Sequence, residues 1–206
     1  MLGAAAAPVI SHSRLVWTVV AFFLAVGVGA HALDELHGHP LRTRLSDRAL
    51  KILGVAGIGS AAMIGIVGAF VVAWWIAILV VVGVWLAVAY NLELAGGRFH
   101  TDLWFAIGWG GFPAIVGYLV TAGSLAWPGV VVAAGCVALS AAQRALSTPV
   151  RQLRRSTVAV RGAQVLDDGT EIPLSATGIA APFDRALMAL SAGVVLLAVG
   201  LVAARW

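Results

Sequence analysis

From Ile52 to Leu92 the chain carries neither a charge nor a histidine. Read as one helix, that stretch would be about 60 Å long, twice the thickness of the hydrocarbon core of a bilayer. The segment is therefore expected to cross an apolar layer, fold back near Gly68–Trp75, and cross again. Composition agrees, since 61% of the 206 residues are hydrophobic and 11% are charged, where a soluble domain carries roughly 25% charged residues.

Extending this reading along the chain gives spans near 14–34, 49–69, 72–92, 102–122, 126–146 and 184–204. The expected fold class is all-α: a polytopic membrane helix bundle of about six transmembrane helices forming one domain over 1–206. Five spans with a re-entrant piece is the alternative. The segment MLGAAAAPVISHSR does not read as a cleavable signal peptide, because its one basic residue stands at its end. Cys136, the one cysteine, lies inside an apolar run, which excludes a disulfide framework and a cysteine-based metal site. The basic residues flank apolar runs without an accompanying aromatic motif, so nucleic acid is not an expected partner.

Those basic residues set an orientation. With six spans, eleven of the thirteen Lys and Arg residues fall on one side, leaving Arg14 and Arg205 on the other. All nine acids fall on the richer side. The positive-inside rule makes that side the cytoplasm. The chain is thus expected to be an integral membrane protein whose polar chemistry faces the cytoplasm. Residues 147–183 should form a cytoplasmic loop. Thr157–Val160 alternates polar and apolar residues, and Asp168-Gly169 between apolar flanks signals a small β-hairpin insert. Pro149, Pro173 and Pro182 are expected to punctuate its ends.

One polar constellation stands at the membrane boundary. His31, Asp34 and Glu35 are spaced i, i+3, i+4, which places them on one helical face, and His37 and His39 follow in a turn broken by Gly38 and Pro40. Span three ends with Tyr90, Asn91 and Glu93, and span four starts beside His100 and Asp102. These groups converge if spans one, three and four pack together. Carboxylates and histidines at this depth are costly unless paired or ligating. His31, Asp34, Glu35, His37, Glu93 and His100 are therefore the candidate metal ligands. Their donor set leaves the divalent cation open, with carboxylates favouring Mg²⁺ and imidazoles Zn²⁺ or iron. Asp102 reads as a helix cap. Glycines such as Gly29, Gly54, Gly57, Gly108 and Gly110 permit close helix packing in lipid. Pro113 should kink span four, with Trp109 and Phe112 nearby in the core or against a pocket.

The order of these features resembles the UbiA superfamily of intramembrane prenyltransferases. AHALDELHGHPLRTRLSDRAL has the layout of that family's Asn/Asp-rich helix end and its following basic, proline-containing loop. AYNLELAGGRFHTDLWFAIGWGGFPAIVGYLVTAG resembles its second block, a helix ending in Tyr-Asn, a short loop and a Gly/Pro-containing helix. The resemblance implies a membrane enzyme acting on a prenyl diphosphate or other lipid substrate, with Mg²⁺ as cofactor. It would make Asp34 and Glu35 the catalytic, metal-holding carboxylates and put His31 in the place of the motif Asn. Arg42 and Arg44 would contact phosphate, and Tyr90 and Asn91 would line the substrate pocket. The family has about nine spans and a second aspartate motif. Here SAAQRALSTPVRQLRR, the stretch in the corresponding place, holds no acid. Two other classes remain open: a non-catalytic partner or scaffold docking through the basic loop and hairpin, and a His/carboxylate metalloprotein unrelated to prenyl chemistry. Oligomeric state is not legible.

Overall fold

The computed structural model describes residues 1–37, 39–40 and 43–205. A single turn, α1 (Leu2–Ala5), precedes a continuous helical stretch made of α2 (His12–Phe22), a π-helix (Phe23–Ala30) and α3 (His31–Leu36). The long α4 (Asp47–Val71) and the shorter α5 (Ile76–Asn91) follow. One strained turn, α6 (Leu94–Gly97), leads into a second composite of α7 (Asp102–Phe105), a π-helix (Ala106–Gly111) and α8 (Phe112–Ala122). The chain closes with α9 (Trp127–Arg155), a hairpin of β1 (Ala163–Val165) and β2 (Glu171–Pro173), and α10 (Ala176–Ala203).

Five of these stretches, 12–36, 47–71, 102–122, 127–155 and 176–203, are long and apolar enough to cross a membrane. The sixth apolar helix, α5, has 16 residues, about 24 Å of helix against a core of about 30 Å. The all-α bundle is as expected, and the reversal comes where the uncharged run demanded it, between Val71 and Ile76.

Both π segments are glycine-bearing, and their glycines bring helix backbones into contact. A Cβ on Gly57 of α4 would lie 2.7 Å from the Gly29 nitrogen and 2.7 Å from the Leu24 carbonyl oxygen. One on Gly110 would collide with the Cys136 carbonyl of α9. Wide π turns are rare and usually mark functional segments. Here the first runs directly into the acid-bearing α3, and the second directly follows Asp102. Pro113 does not break span four. It comes two residues after the π segment ends at Gly111, and the helix runs on through it to Ala122.

The expected connector boundaries shift. Pro149 lies inside α9 and Pro182 inside α10, so the two helices take up both ends of the 147–183 segment. The hairpin pairs Ala163 with Pro173, Gln164 with Ile172 and Val165 with Glu171, and its turn uses Asp168-Gly169 as anticipated. The Thr170 amide donates to Asp168 Oδ1 at 2.8 Å, and this bond holds that exposed carboxyl below its ordinary pKa. Thr157–Val160, by contrast, forms no strand.

A chain of side-chain contacts ties six helix ends together. His39 of the α3–α4 loop reaches Asp47, His37 reaches Glu93, Asp102 reaches Arg144, and Arg154 reaches Asp184. At the opposite end, Arg14 Nη1 donates to the Val120 carbonyl and Arg205 Nη1 to that of Ala7. The bundle thus keeps almost all its charge at one end. If the Gly29–Gly57 contact holds the first composite helix to α4, Gly57→Ala should destabilise the protein by about 1–3 kcal/mol. Gly59→Ala should not, because a Cβ there meets nothing within 4 Å. Thermal unfolding of the two variants in detergent checks this pair.

Candidate functional site

The charged end is built from the inside outward. Glu35, 1% exposed, is the most deeply buried of the acids. Its Oε1 accepts from the Thr43 amide at 2.7 Å and from the Thr43 hydroxyl at 2.9 Å, and His39 Nδ1 lies 3.8 Å away. A buried carboxylate needs such donors, and these fold the loop after α3 back onto its helix. Glu35 therefore closes a loop rather than standing beside Asp34 as a second open carboxylate.

Asp34 differs. It is half-buried, and no hydrogen bond or ion pair holds its carboxylate among the described residues. Its charge acts on the hydroxyl of Tyr90, as do those of Arg144, Arg151 and Asp102. Tyr90, 6% exposed, is the centre of the cluster. Its ring stacks on His100 at 4.4 Å and meets Trp109 at 4.5 Å and Phe105 at 6.0 Å, centroid to centroid. His100 Nδ1 is 3.0 Å from the Tyr90 carbonyl oxygen. A carbonyl only accepts, so Nδ1 carries the proton there. Glu93 sits between two imidazoles, 3.6 Å from His37 Nε2 and 3.9 Å from His100 Nδ1.

Three expected assignments change. His31 is exposed, and its Nδ1 lies 2.6 Å from the Val26 carbonyl oxygen, so it faces its own π turn and does not join the acids. Asn91 Nδ2 donates back to the Ala87 carbonyl at 2.7 Å, tying this group to its own helix. Asp102 is not the cap of α7. Thr101 accepts from the Trp104 amide, while Asp102 Oδ1 accepts from Arg144 Nε at 2.6 Å. Arg44 is exposed, and Arg42 lies outside the described residues. Among the described residues, no group of three or more His, Cys, Asp and Glu side chains is arranged to hold a metal ion.

Sequence reasoning gave Arg144 and Arg151 no part in the site, although both act on Tyr90. Their seven-residue spacing within SAAQRALSTPVRQLRR was the available signal. It was masked because basic residues at a span end also report topology.

Beside the cluster lies an apolar cavity of about 740 Å³, enclosed by α2 with its π extension, α4, α5 and the second composite helix. It runs from Ser11, Arg14 and Trp17 at the weakly charged end to Ala87 and Trp109 at the charged end. Trp109 therefore belongs to both the cavity wall and the Tyr90 cluster. Gly108 lines the same wall, and a Cβ there would meet nothing within 4 Å.

The backbone around the cluster is strained. The three non-glycine residues with positive φ among those described are His39, Glu93 and Ala95, and all lie in its two loops. Such conformations cost of order 1 kcal/mol each and persist where surrounding contacts impose them. Ala95→Gly should raise stability by about 0.5–1 kcal/mol, measured as a rise in melting temperature. Glu35→Ala, which removes a buried carboxylate and its two bonds from Thr43, should lower stability by about 1–3 kcal/mol.

Comparison with protein-family models, curated proteins and solved structures finds no match.

Proposed function

We propose that the chain is a membrane-embedded enzyme acting on a prenyl or similar long-chain lipid with a phosphate-type headgroup, in the manner of the UbiA superfamily it resembles. The observation that carries this reading is the sharing of Trp109 between the apolar cavity and the polar cluster around Tyr90. A cavity of this size and lining suits a hydrocarbon chain, and its charged end offers a headgroup a set of polar partners. Trp109 supplies an aromatic ring at that junction, the kind of group that stabilises positive charge on an allylic carbon as its headgroup departs. Asp34 is the catalytic candidate, being the half-buried carboxylate not committed to another side chain. Glu35 keeps a supporting role, since it ties Thr43 back to α3.

The donors also bear on the cofactor. A zinc or iron centre needs three or four converging protein ligands, and among the described residues no three His, Cys, Asp or Glu side chains are so grouped. Mg²⁺ needs only one or two carboxylates when substrate phosphates complete its shell, and Asp34 and Glu93 fit that demand. Bound in this way, the cation would neutralise charge developing on a departing diphosphate. On this reading the charged end faces the cytoplasm, as the basic residues favour.

The test is diphosphate release from an allylic prenyl diphosphate by the purified protein in nanodiscs with Mg²⁺. Turnover is expected, with Asp34→Asn reducing it roughly a hundredfold. Gly108→Leu, which fills the cavity wall, should weaken lipid binding roughly tenfold while the protein stays folded. Turnover indifferent to both changes would contradict the proposal. A second reading, a non-catalytic scaffold, draws on the hairpin, whose strand residues are all exposed. On that reading the purified chain releases no diphosphate, and deleting the hairpin abolishes docking.

A further inference from the structure

Arg144 and Arg151 stand seven residues apart on α9, two turns along one helical face, with Thr148 between them. The guanidinium of Arg144 lies over the ring of Phe105, which meets Tyr90 at 6.0 Å, so this face looks onto the cluster at the end of the cavity. Arg144 has its partners: Asp102 at 2.6 Å and the ring of Phe105, 5.1 Å from the guanidinium carbon. Arg151 has no carboxylate partner among the described residues. Its Nη2 donates to Thr148 Oγ1 at 3.1 Å, and the like charges of Arg144 and Arg155 act on it. Among the described residues Asp102 is the acid that pairs with this face, and Arg144 already occupies it.

A partly buried arginine crowded by two others is an unbalanced charge, and such an arrangement is costly until an anion completes it. The guanidinium fork matches phosphate oxygens two at a time, which a lysine ammonium does not. We infer that the arginine face of α9, Arg144 and Arg151 beside Tyr90, binds the phosphate or diphosphate headgroup of the lipid whose chain fills the cavity. This rests on the lipid reading above and moves the anion-holding role from the loop arginines Arg42 and Arg44 to the bundle itself. In the place where the resembled family carries its second aspartate motif, this chain would hold the anion directly with arginine.

Three probes separate the possibilities, each titrated against the full chain in detergent without divalent cations: a prenyl alcohol, the corresponding prenyl diphosphate and inorganic diphosphate. The diphosphate ester should bind more tightly than the alcohol. Arg151→Gln should weaken the ester roughly tenfold to a hundredfold, the range of a charge-assisted contact, and leave the alcohol within about twofold. Arg151→Lys should recover part of the loss. Arg154→Gln, whose residue pairs with Asp184 instead, should match the parent chain. Competition by inorganic diphosphate would assign the site to any phosphate anion. Its absence, with the ester still preferred, would assign it to a lipid-borne headgroup. Equal binding of alcohol and ester, or equal weakening of both by Arg151→Gln, would overturn the inference while leaving the cavity reading standing. If neither lipid binds, the cavity reading fails, and inorganic diphosphate binding sensitive to Arg151 still decides the arginine site.

Discussion

Direct backbone contact between helices is the constraint on which this bundle rests. Apolar side chains gain little by leaving lipid for one another, so helices in a membrane cohere through close packing and polar contacts. Gly29 against Gly57, and Gly110 against the Cys136 carbonyl, supply the closest approaches. Each pair lies in or beside a π segment, and each π segment adjoins a short helix bearing part of the charged cluster. The glycines therefore do more than hold helices together. They fix the depth at which Asp34 and Glu35 on one side, and Asp102 on the other, meet the end of α5.

Charge segregation follows from the same architecture. Crossing helices leave water-reachable positions only at their ends, and this chain places nearly all its ionisable groups at one of them. There the polar groups satisfy one another in a continuous belt from His39–Asp47 through His37–Glu93 and Asp102–Arg144 to Arg154–Asp184. Two groups stand out for what the belt does not give them: among the described residues Asp34 has no side-chain hydrogen bond or ion pair, and Arg151 has no carboxylate partner. Both act on Tyr90, which borders the apolar cavity through Trp109. A greasy space, open along part of its wall, that ends near a carboxylate and an arginine without charged partners among the described residues is the arrangement expected for an amphiphile with an anionic head.

Much of this was legible in the sequence because it depends on long-wavelength patterns. The uncharged run from Ile52 to Leu92 required a reversal, the 102–122 span appears with those bounds, and the Asp168-Gly169 turn closes a hairpin. The convergence of Asp34, Tyr90, Glu93 and His100 also follows from which span ends share a side. What could not be read was rotation and rotamer. Spacing puts His31, Asp34 and Glu35 on one face, yet His31 is drawn back by the Val26 carbonyl of a π turn that no propensity signals. Asn91 turns onto its own helix for the same kind of reason. Prolines misled as well, since Pro149 and Pro182 read as helix ends but lie inside α9 and α10, where helix length is set by packing and interface contacts such as Arg154–Asp184. Arginines at span ends carry two messages at once, topology and chemistry, and the first conceals the second.

The claim that an apolar chain lies in the interior with its head at the Tyr90 cluster is most directly tested by photocrosslinking. A prenyl phosphate carrying a diazirine at its tail would be bound to the protein in nanodiscs, irradiated, and its adducts located by peptide mass spectrometry. The account predicts labelling of inward residues far from the cluster, such as Gly68, Val72 and Ile76 on the cavity wall, and its loss in Gly108→Leu. Labels confined to outward residues such as Phe70, Val81 and Leu196, which are exposed on the bundle surface, would contradict it.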